Sequence, residues 1–252
     1  MISIKSQREI DLMKEAGRIV ALTFTKLSEF IKPGISTKQI DEYAEKIITG
    51  EGGVPASKGY GGFPGAICVS VNDTLIHGIP SKKIILKEGD IVSCDIVVKK
   101  NGYHADATRT FAVGEISEEA AKLIEATKKS FYEAVKLIKP GIRLGDISNA
   151  IQKYIEANGY SIVREFTGHG IGQQMHEDPY VPNYGFAGTG VRLQKGMCLA
   201  IEPMVAQGKK DIYVMNDDWT IKTVDGKLSC HYENTVVVTD DGYEIITLEK
   251  EN

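Results

Sequence analysis

The sequence predicts an α+β fold built from two related halves. An internal repeat, two pairs of helical segments and several apolar strands indicate it. Ile31-Lys32-Pro33-Gly34-Ile35 recurs 107 positions later as Ile138-Lys139-Pro140-Gly141-Ile142. Each copy forms a Pro-Gly break between two helical segments, and the first helix starts at a capping-box sequence, Ser6 to Glu9. The order of helix, helix and strands is the same in both halves, as an internal repeat requires.

A second block repeats at the same offset. Residues 86–95 align with residues 193–202, and this alignment places Asp95 on Glu202. Two blocks that agree on one offset support duplication better than either match alone. We therefore expect one domain over 1–252, with halves of about 1–112 and 113–252.

Strand-like composition marks the segments between the helices. The segments rich in Val, Ile, Thr, Tyr and Phe are 91–98, 103–113 and 230–238. Asn101-Gly102 between the first two is typical of a type I′ hairpin turn. Asp95 and Asp106 should therefore lie on adjacent antiparallel strands, and on one face if the register allows.

Composition and charge exclude several classes of protein. Of 252 residues, 42% are hydrophobic and 25% are charged, which is typical of a globular domain and not of a disordered or fibrous chain. A net charge of −4 without a basic cluster argues against binding to nucleic acid phosphates. No apolar run approaches the ~18 residues of a membrane span, and the first residues lack the apolar core of a signal peptide. We expect a cytoplasmic protein.

The four cysteines predict reduced thiols. Cys68, Cys94, Cys198 and Cys230 lie far apart and form no C-x-x-C pair. This pattern fits neither a disulfide framework nor a zinc knuckle. We expect at least three of them to be buried as small apolar residues.

Four carboxylates lie within or beside apolar strands. They are Asp95, Asp106, Glu202 and Glu233. Burial of an isolated charge costs several kcal/mol, so each must be paired, protonated or bound to a metal. One alone could be a satisfied core carboxylate or face water at a strand end. Four together have few cations to share, since Arg109 should point away from the face of Asp106, and a shared divalent metal is favoured.

Histidines beside glycines add candidates. His169 lies between two glycines that let the backbone approach a site closely, His77 lies in a similar His-Gly segment, and His176 follows seven residues after His169. A lone His-Gly pair is more often a loop histidine than a ligand, but two such loops beside four acids favour a site. His104 and His231 each precede an acid by two residues. We expect these two to support the site from behind or to lie at the surface.

Seven of these residues resemble the methionine aminopeptidase family in order and spacing, over nearly the whole chain. They are His77, Asp95, Asp106, His169, His176, Glu202 and Glu233. The resemblance implies the pita-bread fold, with two pseudo-symmetric halves and a curved antiparallel sheet covered by helices. The chain is similar to the type I bacterial form, because no helical insertion interrupts its C-terminal half and no zinc-binding or basic extension precedes the catalytic part. The implied activity is removal of the N-terminal methionine from nascent proteins when the second residue is small.

The resemblance also implies a dinuclear metal site. Asp106 and Glu233 would bridge two divalent ions, Asp95 would hold one of them, and His169 with Glu202 would hold the other. The four carboxylates offset the charge of two divalent ions. A carboxylate-rich set without sulfur suits Mn²⁺, Fe²⁺ or Co²⁺ better than structural zinc.

The catalytic groups that the resemblance implies surround this site. Glu202 would shuttle the proton of the attacking water, while His77 and His176 would hydrogen-bond the leaving nitrogen and the developing oxyanion. Thr108 and Thr235 each lie two residues beyond a bridging acid and are candidates to orient that acid.

The family's methionine pocket corresponds to five residues of this sequence: Tyr60, Phe63, Cys68, Met175 and Trp219. Aromatic faces and a thiol suit a thioether side chain. Phe63 stands where the family usually has tyrosine and Met175 where it usually has phenylalanine, so the pocket stays apolar but changes shape. Ordinary core packing is the alternative for Tyr60 and Cys68.

Further implications concern partners. The resemblance implies a monovalent cation near Asn72 and Ser229, nascent chains with an N-terminal methionine as substrates near the ribosome, and a monomer.

Two alternatives stay open. A prolidase or aminopeptidase P type enzyme would carry a separate N-terminal domain, whereas the first helix here already belongs to the repeat. A non-catalytic binding protein on the same fold is disfavoured by the intact set of five ligand positions.

We predict that this protein keeps its own Met1 when it is made in a bacterial cytosol. The family's substrates carry a small second residue, and Ile2 is β-branched and bulky. An Ile2→Ala variant should lose Met1. Intact-mass measurement of both proteins from the same host checks this, and complete loss of Met1 from the Ile2 form would contradict it.

Overall fold

The computed structural model describes residues 1–248 of the chain. Its helices are α1 Gln7–Phe30, α2 Thr37–Gly50, α3 Glu118–Val135 and α4 Leu144–Ala157, with a 3-10 turn at Tyr60–Gly62. The strands of the first half are β1 Val54–Pro55, β2 Cys68–Val71, β3 Thr74–Ile76, β4 Ile91–Lys100 and β5 Tyr103–Ala112. Those of the second half are β6 Ser161–Ile162, β7 Gly168–Gly170, β8 Glu177–Val181, β9 Cys198–Ile201, β10 Met204–Ala206, β11 Ile212–Val214, β12 Ile221–Thr223, β13 Ser229–His231, β14 Asn234–Val238 and β15 Tyr243–Ile245.

The long hairpin of β4 and β5 positions the first two acids. The two strands pair over their whole length, with Asp95 opposite Thr108 and Val97 opposite Asp106. Because residues two apart on a strand share a face, Asp95 and Asp106 lie diagonally on one face, as predicted. Asn101 and the glycine that follows both have positive φ, 49° and 88°, which confirms the type I′ turn.

The predicted single strand over 230–238 is wrong. The chain forms β13 up to His231 and β14 from Asn234, with Tyr232 and Glu233 between them. The break arises because β13 pairs with β10 in a three-stranded sheet, whereas β14 pairs with β9 in the five-stranded sheet β15-β14-β9-β7-β8. Glu233 therefore lies at the crossing between two sheets.

Each half has its own apolar core beneath a helix pair. The first core packs α1 and α2 against β2, β4 and β5, through buried residues such as Ile19, Ile40 and Ile96. The second packs α3 and α4 against β6, β10, β13 and neighbouring strands, through residues such as Phe131 and Ile147. The helices thus cover the sheets from outside and leave the opposite faces for the site.

The 107-residue offset recurs in the backbone contacts. Gly34 N–H donates to Leu86 O at 2.8 Å, and Gly141 N–H donates to Leu193 O at 2.9 Å. Both glycines have a φ of 93°, a conformation that glycine adopts without strain. The bounds of α2 and α4 also differ by this offset.

Several local predictions are confirmed. Ser6 caps α1 in a full capping box with Glu9. All four cysteines are free and buried. Across residues 1–248, no helix combines the length and apolar character that crossing a membrane requires.

The first helix is fixed against the C-terminal part of the chain. At Gly17 of α1, an added Cβ would lie 2.0 Å from the carbonyl oxygen of Ile246. The Ile246 N–H in turn donates to Thr235 O on β14 at 3.1 Å. Close approach of these backbones therefore requires glycine at position 17 and ties the first half to the second.

We predict that Gly17→Ala lowers the free energy of unfolding by about 1–3 kcal/mol, because the methyl group must displace a backbone segment. Gly50→Ala is the matched control, since nothing lies within 4 Å of its added Cβ. That variant should range from neutral to about 1 kcal/mol more stable. Denaturant unfolding of both variants is the measurement, and equal stability would show that α1 does not approach the C-terminal segment this closely.

Candidate metal centre

Five of the predicted ligands converge where the sheets of the two halves meet. Asp95 and Asp106 come from β4 and β5, His169 from β7, Glu202 from the residue after β9, and Glu233 from the link between β13 and β14. Asp106, His169 and Glu233 are each at most 6% exposed. Residues far apart in sequence thus present acidic and imidazole groups to one small volume.

Two overlapping groups could each hold a metal ion. Asp106, His169 and Glu233 offer ligand atoms within 4.8 Å of one another, and so do Glu202, His231 and Glu233. Glu233 is common to both groups, which fits the bridging role that the resemblance implies. Asp95 belongs to neither group, but it lies on the same sheet face as Asp106.

The His169 ring is set for ligation through Nε2. Its Nδ1 lies 2.8 Å from the carbonyl oxygen of Gly170, which can only accept, so Nδ1 carries the proton. The unprotonated Nε2 then points to Asp106 Oδ2 and Glu202 Oε1, each at 3.7 Å. Burial lowers the pKa of His169 to about 4, which keeps the imidazole neutral at physiological pH.

Among residues 1–248, none of the four acids forms an ion pair with a Lys or Arg side chain. Burial raises the pKa of Asp95, Asp106, Glu202 and Glu233, and their mutual repulsion raises those of Asp106 and Glu233 further. The nearest guanidinium, Arg109, donates to the backbone oxygen of Glu233 at 2.5 Å and to Asn234 Oδ1 at 2.6 Å. Arg109 therefore contacts the far side of the Glu233 backbone, as its predicted orientation requires.

The residues present fit a divalent metal. Asp95 Oδ1, Asp106 Oδ1, Glu233 Oε1 and His231 Nε2 are buried without a hydrogen-bond partner. Unpaired buried acceptors are rare and costly in proteins. A divalent cation among them satisfies these atoms and neutralises the carboxylates at once.

The two threonines contact acids, but not those that were predicted. Thr108 Oγ1 donates to Glu233 Oε2 at 2.9 Å, not to Asp106 on its own strand. Thr235 exchanges hydrogen bonds of 2.9 Å with the backbone N–H and carbonyl of Asp106. The expectation that each orients the acid two residues before it is wrong, because the side chains reach across from β5 to the β13–β14 segment.

His176 and His77 border the metal-ligand cluster. The ring of His176 lies 4.4 Å from that of His169, and its Nδ1 lies 2.8 Å from the Tyr60 hydroxyl. His77 packs edge-on against Trp219, with ring centroids 6.0 Å apart, and against Phe166. Burial lowers the pKa of His77 to about 4 and that of His176 below its ordinary value.

The predicted methionine-pocket residues adjoin these histidines. The rings of Phe63 and Trp219 pack edge-to-face with centroids 5.2 Å apart. The Tyr60 hydroxyl hydrogen-bonds His176 Nδ1. Cys68 pairs across the strands with Asp95, and Met175 is buried. A cleft of about 650 Å³ opens beside His169 and His176. It is lined by Met1, Ser3, Thr167, His169, Gln173, Gln174, His176, Glu177, Asp178 and Tyr180.

Four further predicted residues have clear positions. His104 and His231 are 6% and 2% exposed, which excludes a surface role for both. Asn72 and Ser229 are adjacent: the Ser229 N–H and hydroxyl both donate to Asn72 O, at 2.9 and 3.0 Å.

Sequence reasoning missed Asn183, and it expected His231 only behind the site or at the surface. Asn183 is fully buried and donates to the backbone oxygen of Glu202 at 2.9 Å, and no motif marked it. His231 belongs to one of the two potential metal-binding groups. The signal in the sequence is its position two residues before Glu233.

The fold and this cluster of carboxylates and imidazoles define a class of enzyme. The sequence matches the family model described as metallopeptidase family M24 over residues 11–240. The chain therefore has the divalent-metal chemistry of a metallopeptidase, and the pita-bread α+β fold is confirmed by similar solved structures.

Comparison with individual proteins narrows the class. Methionine aminopeptidase 1 of Bacillus subtilis is 52% identical over 98% of this chain and 99% of its own length. The crystal structure of methionine aminopeptidase from Rickettsia prowazekii superposes with a TM-score of 0.97, at 39% identity over 98% of this chain and all of its own. The chain belongs to the methionine aminopeptidases. Prolidase from Pyrococcus furiosus shares the fold, with a TM-score of 0.79 and 23% identity over 98% of this chain and 66% of its own.

We predict opposite effects of Asp106→Asn on stability and metal binding. The folded pKa of Asp106 is raised above its ordinary value of 3.8. The folded metal-free protein thus binds more protons than the unfolded chain above that pH, and its stability falls as pH rises. Asp106→Asn should therefore stabilise the metal-free protein by about 1 kcal/mol or more at pH 8, yet bind Mn²⁺ far more weakly.

Thermal unfolding with chelator and equilibrium dialysis with Mn²⁺ measure the two effects. Asp211→Asn, at an aspartate that is 59% exposed, is the control and should change neither. A metal-free Asp106→Asn protein less stable than the parent would show that the carboxylate is not an unpaired buried charge.

Proposed function

We propose that this protein removes the N-terminal methionine from nascent chains whose second residue is small. The observation that carries the proposal is the cluster of four carboxylates with His169, in which Asp106, His169 and Glu233 are buried. Identity of 52% to a methionine aminopeptidase over the full chain supports this substrate over the proline-directed alternative. The intact ligand set supports an enzyme over a binding protein.

The proposal places two divalent ions in the cluster. Asp106 and Glu233 would bridge them, Asp95 would hold one, and His169 with Glu202 would hold the other. Bound divalent ions lower the pKa of water and polarise a scissile carbonyl. Mn²⁺, Fe²⁺ and Co²⁺ suit the donors, and a monovalent cation near Asn72 and Ser229 stays a prediction.

Glu202 is the proposed proton shuttle. Its side chain is 12% exposed, so it is the carboxylate of the two groups with most access to water. Burial and the nearby charge of Asp95 raise the pKa of Glu202 above its ordinary value, which makes this carboxyl a better proton acceptor. The hydrogen bond from Asn183 to its backbone holds the residue in place.

His176 and His77 would act on the peptide. Tyr60 fixes the ring of His176 beside His169, so His176 can hydrogen-bond the carbonyl oxygen as negative charge develops. Trp219 and Phe166 fix the ring of His77, which suits a donor to the leaving nitrogen. Both rings are preorganised by aromatic contacts, as such stabilisation requires.

The methionine side chain would bind against Tyr60, Phe63, Cys68, Met175 and Trp219. Phe63 and Trp219 form an edge-to-face pair that offers an apolar wall, and thioethers make favourable contacts with aromatic rings. Asp217 Oδ1 accepts the backbone N–H groups of Trp219 and Thr220, which fixes the turn that carries the indole.

Wider features of the proposal concern the cell. The chain would act as a cytoplasmic monomer on nascent chains near the ribosome, as one catalytic domain with halves of about 1–112 and 113–252. The net charge of −4 does not favour binding to nucleic acid.

Peptide hydrolysis tests the proposal directly. We predict turnover of Met-Ala-Ser with added Mn²⁺ or Co²⁺, none of Ala-Pro-Pro, and loss of turnover with chelator, because the four acids need a cationic partner to work. Heat-inactivated enzyme with the same metal is the control. Hydrolysis of Ala-Pro-Pro alone would favour the hypothesis of a prolidase or aminopeptidase P type enzyme. Hydrolysis of neither peptide would favour a binding protein.

We predict that His176→Ala lowers kcat by about 10²–10³-fold, because one hydrogen-bond donor to the transition state is lost. Metal content should stay at the parent level, measured by elemental analysis of protein purified without chelator. Tyr60→Phe, which removes only the hydroxyl that holds the ring, should reduce kcat less. Metal loss in His176→Ala as large as in His169→Ala would instead make His176 a ligand.

A further inference from the structure

The second histidine of the cluster has no function in the ligand set described above. His231 ends β13, is 2% exposed, and its Nε2 is buried without a hydrogen-bond partner. That atom lies 3.5 Å from Glu202 Oε2 and 3.9 Å from Glu233 Oε2. An unpaired imidazole nitrogen thus faces two carboxylates inside the protein.

These separations match those of ligands that share an ion. Ligand atoms about 2.1 Å from one ion lie about 3.0–4.2 Å apart, depending on the angle between them. The Nε2 of His169 lies 3.7 Å from each of its two carboxylate neighbours, within the same range. A direct hydrogen bond from His231 to Glu202 would be shorter, at about 2.7–3.2 Å.

The backbone holds His231 firmly in this position. Its carbonyl accepts from Thr110 Oγ1 at 2.9 Å, and its N–H donates to the same oxygen at 3.3 Å. On the other side, His231 pairs with Met204 of β10. The imidazole therefore starts from a fixed point, as ligands of a preorganised site do.

We infer that His231 is a metal ligand. Its Nε2 binds one ion together with Glu202 and Glu233, so the dinuclear centre contains two imidazoles. Glu202 then spans the two rings, with Oε1 facing His169 and Oε2 facing His231. The inference rests on the metal site of the proposed function but not on its substrate.

The number of bound imidazoles tests the inference. Metal-free full-length protein labelled with ¹⁵N-histidine is loaded with two equivalents of Co²⁺, and paramagnetically shifted imidazole N–H signals are counted by NMR. We expect two signals in the parent, one in His231→Gln and one in His169→Gln. His231→Gln keeps a hydrogen-bond donor for Glu202 but removes the imidazole. This variant therefore distinguishes a metal ligand from a residue that only positions Glu202.

Metal affinity gives a second readout. Removal of a group behind the ligands costs about 10–100-fold in affinity, so loss of a ligand should weaken one of the two Co²⁺ sites by more than about 100-fold. His104→Gln is the matched control, because His104 is also buried two residues before an acid but hydrogen-bonds the carbonyl of Gly172. It should keep both signals and both affinities.

Two results would overturn the inference: one shifted imidazole in the parent protein, or unchanged signals and affinities in His231→Gln. The parent count decides the matter even if a variant does not fold. Failure to cleave Met-Ala-Ser would contradict the proposed substrate but leave the imidazole count unchanged, so the two failures are distinguishable.

Discussion

The rest of the site depends on one constraint, which is the burial of four carboxylates that form no ion pair with Lys or Arg in the described part of the chain, residues 1–248. Desolvation raises the pKa of Asp95, Asp106, Glu202 and Glu233, while Arg109 donates to backbone and amide oxygens behind Glu233. Such a cluster is unfavourable in the metal-free protein and favourable around divalent ions. Metal binding therefore adds to the free energy of unfolding. The acids that serve function lower the stability of the metal-free protein.

The two halves are joined by hydrogen bonds at the carboxylate cluster. Thr108 and Thr235 cross between β5 and the β13–β14 segment, and each fixes an acid of the other half. The Glu233 N–H also donates to Thr108 O at 3.1 Å. Because ligands come from both halves, a shift of one half against the other would move carboxylates apart. The close contact of Gly17 with Ile246 opposes such a shift from the outer face.

The sequence predicts the helices and strands better than the points where the chain passes from one sheet to another. The repeat and the Asn101-Gly102 turn locate the helix pairs and the β4–β5 hairpin, because these depend on local spacing and turn chemistry. The break at Glu233 escapes prediction, since no Gly or Pro interrupts 230–238 and only the pairing of β13 and β14 with different sheets divides it. For the same reason, the sequence pairs each threonine with the acid two residues before it. In the structure, Thr108 instead contacts Glu233 and Thr235 contacts Asp106. Face alternation along one strand cannot show which side chains reach across from another.

The break at Glu233 also explains how the cluster gains its second imidazole. In a continuous strand, His231 and Glu233 would project in parallel from one face, about 6.6 Å apart along the strand. The chain instead changes sheets between them, and His231 Nε2 comes to lie 3.9 Å from Glu233 Oε2, with Glu202 Oε2 closer still. The burial that lowers the pKa of His231 to about 4 keeps its ring neutral, so it adds a donor without adding charge. The change of sheet thus brings a carboxylate and a neutral nitrogen into one cluster from three consecutive residues.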